Sequence, residues 1–343
     1  MTELQDRLDR EIFKERRIAF VGVAKNSGKT TTLNWCLARA FALKKHVLAL
    51  SIGLDGERLD ALLGTPKPPV FLYEGQWCIT TQKMLECSSA TLKIQTALGI
   101  HTPLGETVIA KVVKAGEIVL TGLRHRQDLA EVQKECPVEH IFMDGAYGRL
   151  MAAHGRVCDG IILSTGAVAG ETLEEILIKT KEIVKDFSIS RATGWRASLF
   201  QEAMTQERSL IGGPNIALPL SHPSALLGLS DSEKLWTTQT RGIAIVGMLS
   251  DSIAKNLLKL PDRKDPSFII LRDPTSLHLS KHVKRRLLKK WTIETFEGNA
   301  IIAISVNPTS VKGHRFACGE IEKKLLHQWP KLAIFDPLSL VVE

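Results

Sequence analysis

The sequence predicts an α/β protein built on a mostly parallel, doubly wound sheet, with a β-rich insertion and a further α/β lobe in its C-terminal half. Three observations carry that prediction. An apolar run, Ile18, Ala19, Phe20, Val21 and Val23, passes through a glycine-containing turn into a segment where Leu33, Leu37, Ala40 and Phe41 recur at helical spacing. Short apolar runs alternate with helical periodicity again along 140–185 and 242–328, which is the rhythm of strands covered on both faces by crossover helices. Two of the strands, 46–52 and 140–144, run on into aspartates, Asp55 and Asp144. With 343 residues the chain can bury a large core, as one big domain or as two.

Taken in order, residues 1–16 carry Leu4, Leu8 and Ile12 among charged residues, a helix with a thin apolar stripe that serves for packing or stands as an exposed arm. The first strand ends at Gly22, and the turn from there to Thr30 contains Gly28-Lys29-Thr30. This is the chemistry of a phosphate-binding loop. Glycine lets backbone N–H groups approach phosphate oxygens, Lys29 brings a point charge to the terminal phosphates, and Thr30 can ligate Mg²⁺. Lys25, Asn26, Ser27 and Thr31 complete the expected binding set with Gly22 and Gly28. Five residues separate Gly22 from Gly28, one more than the usual spacing.

After the loop helix, Lys44-Lys45 places positive charge at its C-terminal end, and 46–52 reads as a second buried strand. It leads to Asp55, which lies where a ligand edge would place a Mg²⁺ ligand or a residue that positions water; a plain Gly-Asp-Gly turn would need no ligand. The texture then changes over 66–123. Short β-rich runs at 70–73, 77–80, 91–96, 107–113 and 117–120, punctuated by Gly75, Gly99, Gly105 and Gly116, predict a β insertion, either lying over the nucleotide edge of the sheet or serving as a structural flap. A short helix over 127–135 precedes the strand 140–146, whose Asp144 is placed to hold Mg²⁺ beside the loop. A strand at 158–166 and an amphipathic helix at 171–185 follow. Glycines and prolines mark 190–241 as a linker or surface excursion. Three strand–helix units, 242–260, 267–290 and 300–328, are then expected to form a separate lobe over 191–343, against a nucleotide-binding domain over 1–190.

The composition sets limits on partners. Hydrophobic residues make up 44% and charged residues 24%, an ordinary globular balance. No apolar run approaches the ~20 residues that span a bilayer, and the opening Met1-Thr-Glu-Leu-Gln-Asp-Arg has no hydrophobic signal region, so a cytoplasmic protein without membrane partners is expected. Six cysteines without C-x-x-C spacing argue against a zinc knuckle or a disulfide framework, and for reduced, mostly buried thiols. A net charge of +8 suits nucleic acid or phosphate equally. Dispersed tryptophans form no stacking platform, so nucleic acid is not the expected partner. The basic run 281–291 reads as the solvated face of a packed helix. His278 and His282 have metal-ligand spacing but no third ligand nearby, and no Asn-Lys-x-Asp element follows a strand, which favours ATP over GTP.

The long loop spacing resembles that of dethiobiotin synthetase, and Asn26-Ser-Gly-Lys-Thr-Thr31 also resembles the loop of the molybdopterin-guanine-dinucleotide accessory proteins, both of the SIMIBI class of P-loop NTPases. Together with Ser51-Ile-Gly-Leu-Asp-Gly-Glu57, Thr102-Pro-Leu-Gly-Glu106, Asp144-Gly-Ala-Tyr-Gly-Arg149 and Ser164-Thr-Gly-Ala-Val168, the pattern over the first half resembles the P-loop subunit of lysine 5,6-aminomutase reactivase. Leu54 and Ala24 depart from it. The resemblance implies a Mg-ATP-dependent ATPase that works beside a MutS-like ATPase subunit to restore an adenosylcobalamin-dependent aminomutase, with a homodimer left open. Within it Lys29, Asp55 and Asp144 are the catalytic set, and Thr30, Asp144 and Asp55 the metal set. A small-molecule ligase or kinase of dethiobiotin synthetase type is the competing expectation.

Overall fold

A computed structural model describes residues 3–52, 69–102, 105–123, 126–145, 158–298 and 300–340. The chain divides into two compact units, Met1–Val184 with Ala300–Glu343, and Lys185–Asn299.

The first unit is organised on one large sheet. Its strands are β1 (Arg17–Gly22), β2 (Val47–Ile52), β3 (Trp77–Thr81), β4 (Thr91–Thr102), β5 (Gly105–Lys114), β6 (Gly122–Leu123), β7 (His140–Asp144), β8 (Gly160–Gly166), β9 (Ala300–Asn307) and β10 (Ala333–Phe335). They lie in the order β10-β9-β8-β1-β7-β2-β3-β5-β4, with β6 paired to β2. Pairing is parallel from β10 through to β3, and antiparallel only where β5 meets β3 and β4. The apolar sequences of β7 and β8 follow from this placement, since every residue of both strands is buried.

Helices α1 (Glu3–Lys14) and α2 (Lys29–Ala42) share one core with the sheet face of Ile18, Phe20, Phe142 and Ile162, to which they contribute Leu8, Ile12, Leu33 and Leu37. The apolar stripe of α1 is therefore a packing face. Arg39 of α2, 2% exposed, pairs with Asp9 of α1 at 2.6 Å, which ties the two helices together. Burial, with the Asp9 carboxylate beside it, pushes the Cys36 thiol well above its ordinary range. The unit also contains α3 (Arg126–Glu135), α4 (Leu173–Phe187), whose residues from Lys185 on fall in the second unit, and α5 (Glu320–Gln328). Thr180 of α4 meets Thr165 of β8 at 2.7 Å.

The second unit has its own sheet, ordered Ile216–Pro219, Leu210–Gly213, Gly242–Ala244, Ser267–Leu271, Trp291–Thr295, and the last three strands are parallel. Residues of the Asp251–Leu257 and Lys281–Leu287 helices join Ile243, Ile269, Leu271, Trp291 and Ile293 in one core. Leu199, Phe200 and Ala203 of the Trp195–Thr205 helix join Leu210, Ala244 and Ile270 in another.

The sequence reading is corrected in three places. The lobe expected over 191–343 does not hold as one piece, because β9 pairs with β8 and β10 with β9 in the first sheet. Apolar periodicity reports that a strand is buried, not which strand it pairs with. The β-rich stretch extends the central sheet beyond β2 through β3, β5 and β4 instead of forming a cover over its nucleotide edge. The stretch 190–241, expected to be irregular, contains the Trp195–Thr205 helix and the 210–219 hairpin. Among the described residues no helix is long and apolar enough to cross a membrane.

Candidate functional site

The carboxyl end of β1 lies between two parallel neighbours, with Phe20 in register with Asp144 of β7 and Gly22 with Ser164 of β8. Val23 donates its N–H to the Ser164 carbonyl at 3.0 Å, and Gly145 donates to the Phe20 carbonyl at 3.2 Å. The chain passes from β1 to β2 on one side and enters β8 on the other, so the crevice outside β1 is a topological switch point of the kind that receives ligands in open α/β sheets.

The loop between β1 and α2 closes tightly on itself. A Cβ at Gly22 would lie 2.1 Å from Ser27 Oγ and 3.0 Å from both the Ala24 carbonyl oxygen and Lys29 Cγ, so only glycine fits. The aliphatic stem of Lys29 thus runs back past the start of the loop. Asn26 and Gly28 take left-handed backbone conformations at φ 62° and 94°. Gly28 is the N-cap of α2 and supplies no side-chain cap, which leaves the first-turn N–H groups to water or a ligand.

Other predicted residues gather at the same place. Ser27 is 1% exposed, and its Oγ is buried without a hydrogen-bond partner among the described residues. Thr30 is buried at the start of α2, and Asp144 ends β7 with 7% exposure. Asn26, Lys29 and Thr31 are half-buried, whereas Lys25 is exposed. Asp55, and the part of the Asp144 motif beyond Gly145, lie outside the described residues.

A hydroxyl network missed by the sequence reading supports the loop from below. Thr32 Oγ1 lies 3.0 Å from the Gly28 carbonyl and 2.7 Å from Ser305 Oγ, and Ser305 donates to Ser164 Oγ at 2.8 Å. The available signal was a serine near the end of each of two otherwise apolar strands; Ser164 and Ser305 are paired in the β8–β9 register. Asn307, the last residue of β9, was missed too. Its Cβ would stand 3.1 Å from a Cβ at Gly28, and its carbonyl oxygen approaches Gly166 (φ 144°) so closely that a Cβ there would sit 1.9 Å away.

The remaining candidates stay apart from this cluster. His278 and His282 acquire no third ligand, and no group of three metal-ligating residues occurs among the described residues. In the basic run Lys284 pairs with Asp186 and Lys290 with Asp262, while Val283, Leu287 and Trp291 are buried. Four cysteines are buried, with Cys87 and Cys318 exposed. Burial first, then Glu135, pushes the Cys136 thiol up to about 12, which makes it a poor nucleophile. An open groove of about 540 Å³ bordered by Leu173, Cys318, Lys324 and His327 includes no loop residue.

The loop thus offers what a polyphosphate needs: an uncapped helix N-terminus, the Lys29 cation and an orphaned hydroxyl at Ser27. Thr30 and Asp144 add oxygen donors of the type a hard divalent cation takes. Comparisons with family models, with curated proteins and with solved structures find no match for this chain.

Proposed function

We propose that this chain is a P-loop ATPase of the SIMIBI class that binds Mg-ATP at residues 22–31 and couples its hydrolysis to the maintenance of a partner enzyme. The observation that carries the reading is the turn from β1 into α2. Gly22 closes so tightly on Ser27 that no side chain fits, and the helix it feeds begins without a capping side chain. In this reading the loop amides and Lys29 bind the phosphates, and Thr30 and Asp144 hold Mg²⁺. The bound metal neutralises charge on the phosphate oxygens. Asp55 is assigned to orienting water on the sequence alone.

The resemblance to the lysine aminomutase reactivase subunit gives the partner: an adenosylcobalamin-dependent aminomutase, served together with a MutS-like ATPase. A nucleotide can open such a partner only through different affinities of the two nucleotide states for it. The test is reconstitution. The protein and the MutS-like subunit, given ATP, Mg²⁺ and fresh adenosylcobalamin, are expected to restore an inactivated lysine aminomutase, and the Lys29→Ala protein is expected to fail. No recovery, with phosphorylation or ligation of a small metabolite by the protein alone, would replace this reading with the dethiobiotin synthetase type.

A further inference from the structure

A second cluster of unpartnered donors lies in the second unit, at the end of the sheet where its parallel strands begin. Trp291 opens the Trp291–Thr295 strand, Arg241 directly precedes Gly242–Ala244, and Arg263 and Asp265 shortly precede Ser267–Leu271. The rings of Trp236 and Trp291 are 5.3 Å apart, and the guanidinium carbon of Arg263 stands 4.6 Å from the Trp236 ring centroid. Trp236 is 8% exposed and Trp291 2%.

Trp236 Nε1, Trp291 Nε1 and Arg263 Nε are each buried, and none has a hydrogen-bond partner among the described residues. All three are donors. The carboxylates nearest in sequence are engaged elsewhere, Asp265 by Arg241 and Asp262 by Lys290. Arg263 donates instead to the Thr237 carbonyl through Nη2. Burial, and then the Arg241 cation beside it, lower the Arg263 pKa from its ordinary value.

Buried polar groups in folded proteins are hydrogen-bonded in the great majority of cases, and these three orphans belong to side chains that contact one another through Trp236. A ligand that accepts several hydrogen bonds and carries negative charge satisfies the donors and offsets the cations together. We propose that Trp236, Trp291 and Arg263 form a binding site for a small oxyanion, the carboxylate or phosphate group of a compact metabolite. The site lies wholly within the second unit and does not depend on the nucleotide reading of the loop.

Indole ¹⁵N–¹H resonances of the full chain provide the test. The chain has six tryptophans, and Trp236→Phe and Trp291→Phe assign the two that matter. Titration with acetate in one arm and inorganic phosphate in the other is expected to shift those two resonances saturably, in the arm whose geometry the site accepts. The other four should stay in place and report that the fold is intact. Arg263→Gln is expected to weaken binding by about tenfold or more, and Arg263→Lys, which keeps the charge but loses Nε, by less. If both resonances ignore both anions, or if Arg263→Gln binds as well as the wild type, the donors are served by water and the proposal is overturned.

Discussion

Each of the two units has a sheet with parallel strands, and the ways these strands hand over to helices differ. In the second unit the turn after Gly242–Ala244 leads to Ser250, whose side chain accepts the Ile253 N–H and caps the Asp251–Leu257 helix. The turn after Ser267–Leu271 leads to Asp273, which accepts the Thr275 N–H in the same way. These helical turns satisfy their own donors. In the first unit β1 hands over to α2 through Gly28, which brings no side-chain cap to a helix of 14 residues. Those two helix starts of the second unit are closed by Ser250 and Asp273, whereas the start of α2 is left open by Gly28. A cap adds stability to the chain that carries it, whereas an open N-terminus with a buried hydroxyl beside it suits an anionic ligand.

The contrast can be broken at three strengths. The largest effect is expected from Asp144→Asn, which keeps the size of the side chain and removes its charge: Mg²⁺-dependent ATP turnover should fall about a hundredfold or more, while circular dichroism stays unchanged. Unaltered turnover and metal affinity would remove Asp144 from the site. Next comes Gly28→Ala. Its positive φ and the Asn307 Cβ at 3.1 Å make a methyl group costly, so the midpoint of denaturant unfolding should drop by the equivalent of about 1–2 kcal/mol, with weaker ATP binding. The smallest is Ser250→Ala, expected to cost about 1 kcal/mol of stability and to leave ATP affinity untouched. An affinity change there would mean that the two helix starts are not functionally distinct.

Much of the first sheet was legible because its strands are buried on both faces and read as apolar runs: 17–22, 140–144 and 160–166 all fall inside predicted strands. The turn from β1 into α2 was legible as a strand-to-helix turn because the apolar run gives way after Gly22 to apolar residues at helical spacing. Strand partners were not legible. Ala300–Asn307 and Ser267–Leu271 are equally apolar, yet one joins the first sheet and the other the second. The Trp195–Thr205 helix escaped notice because its apolar residues Trp195, Ala197, Leu199, Phe200 and Met204 do not form a single stripe. The Thr32–Ser164–Ser305 network joins residues more than a hundred positions apart, and no local pattern announces it.

The central claim is that the loop between β1 and α2 binds nucleotide phosphates through Lys29. Calorimetric titration of the wild type and of Lys29→Ala with ATP in the presence of Mg²⁺ tests it directly, with the unfolding transition of both proteins measured alongside. The account predicts saturable binding to the wild type, a loss of about a hundredfold or more in the variant, and unfolding midpoints that agree closely, because Lys29 is half-buried at a helix start and lies outside the hydrophobic core. Equal Mg-ATP affinity and hydrolysis in a folded Lys29→Ala protein would contradict it.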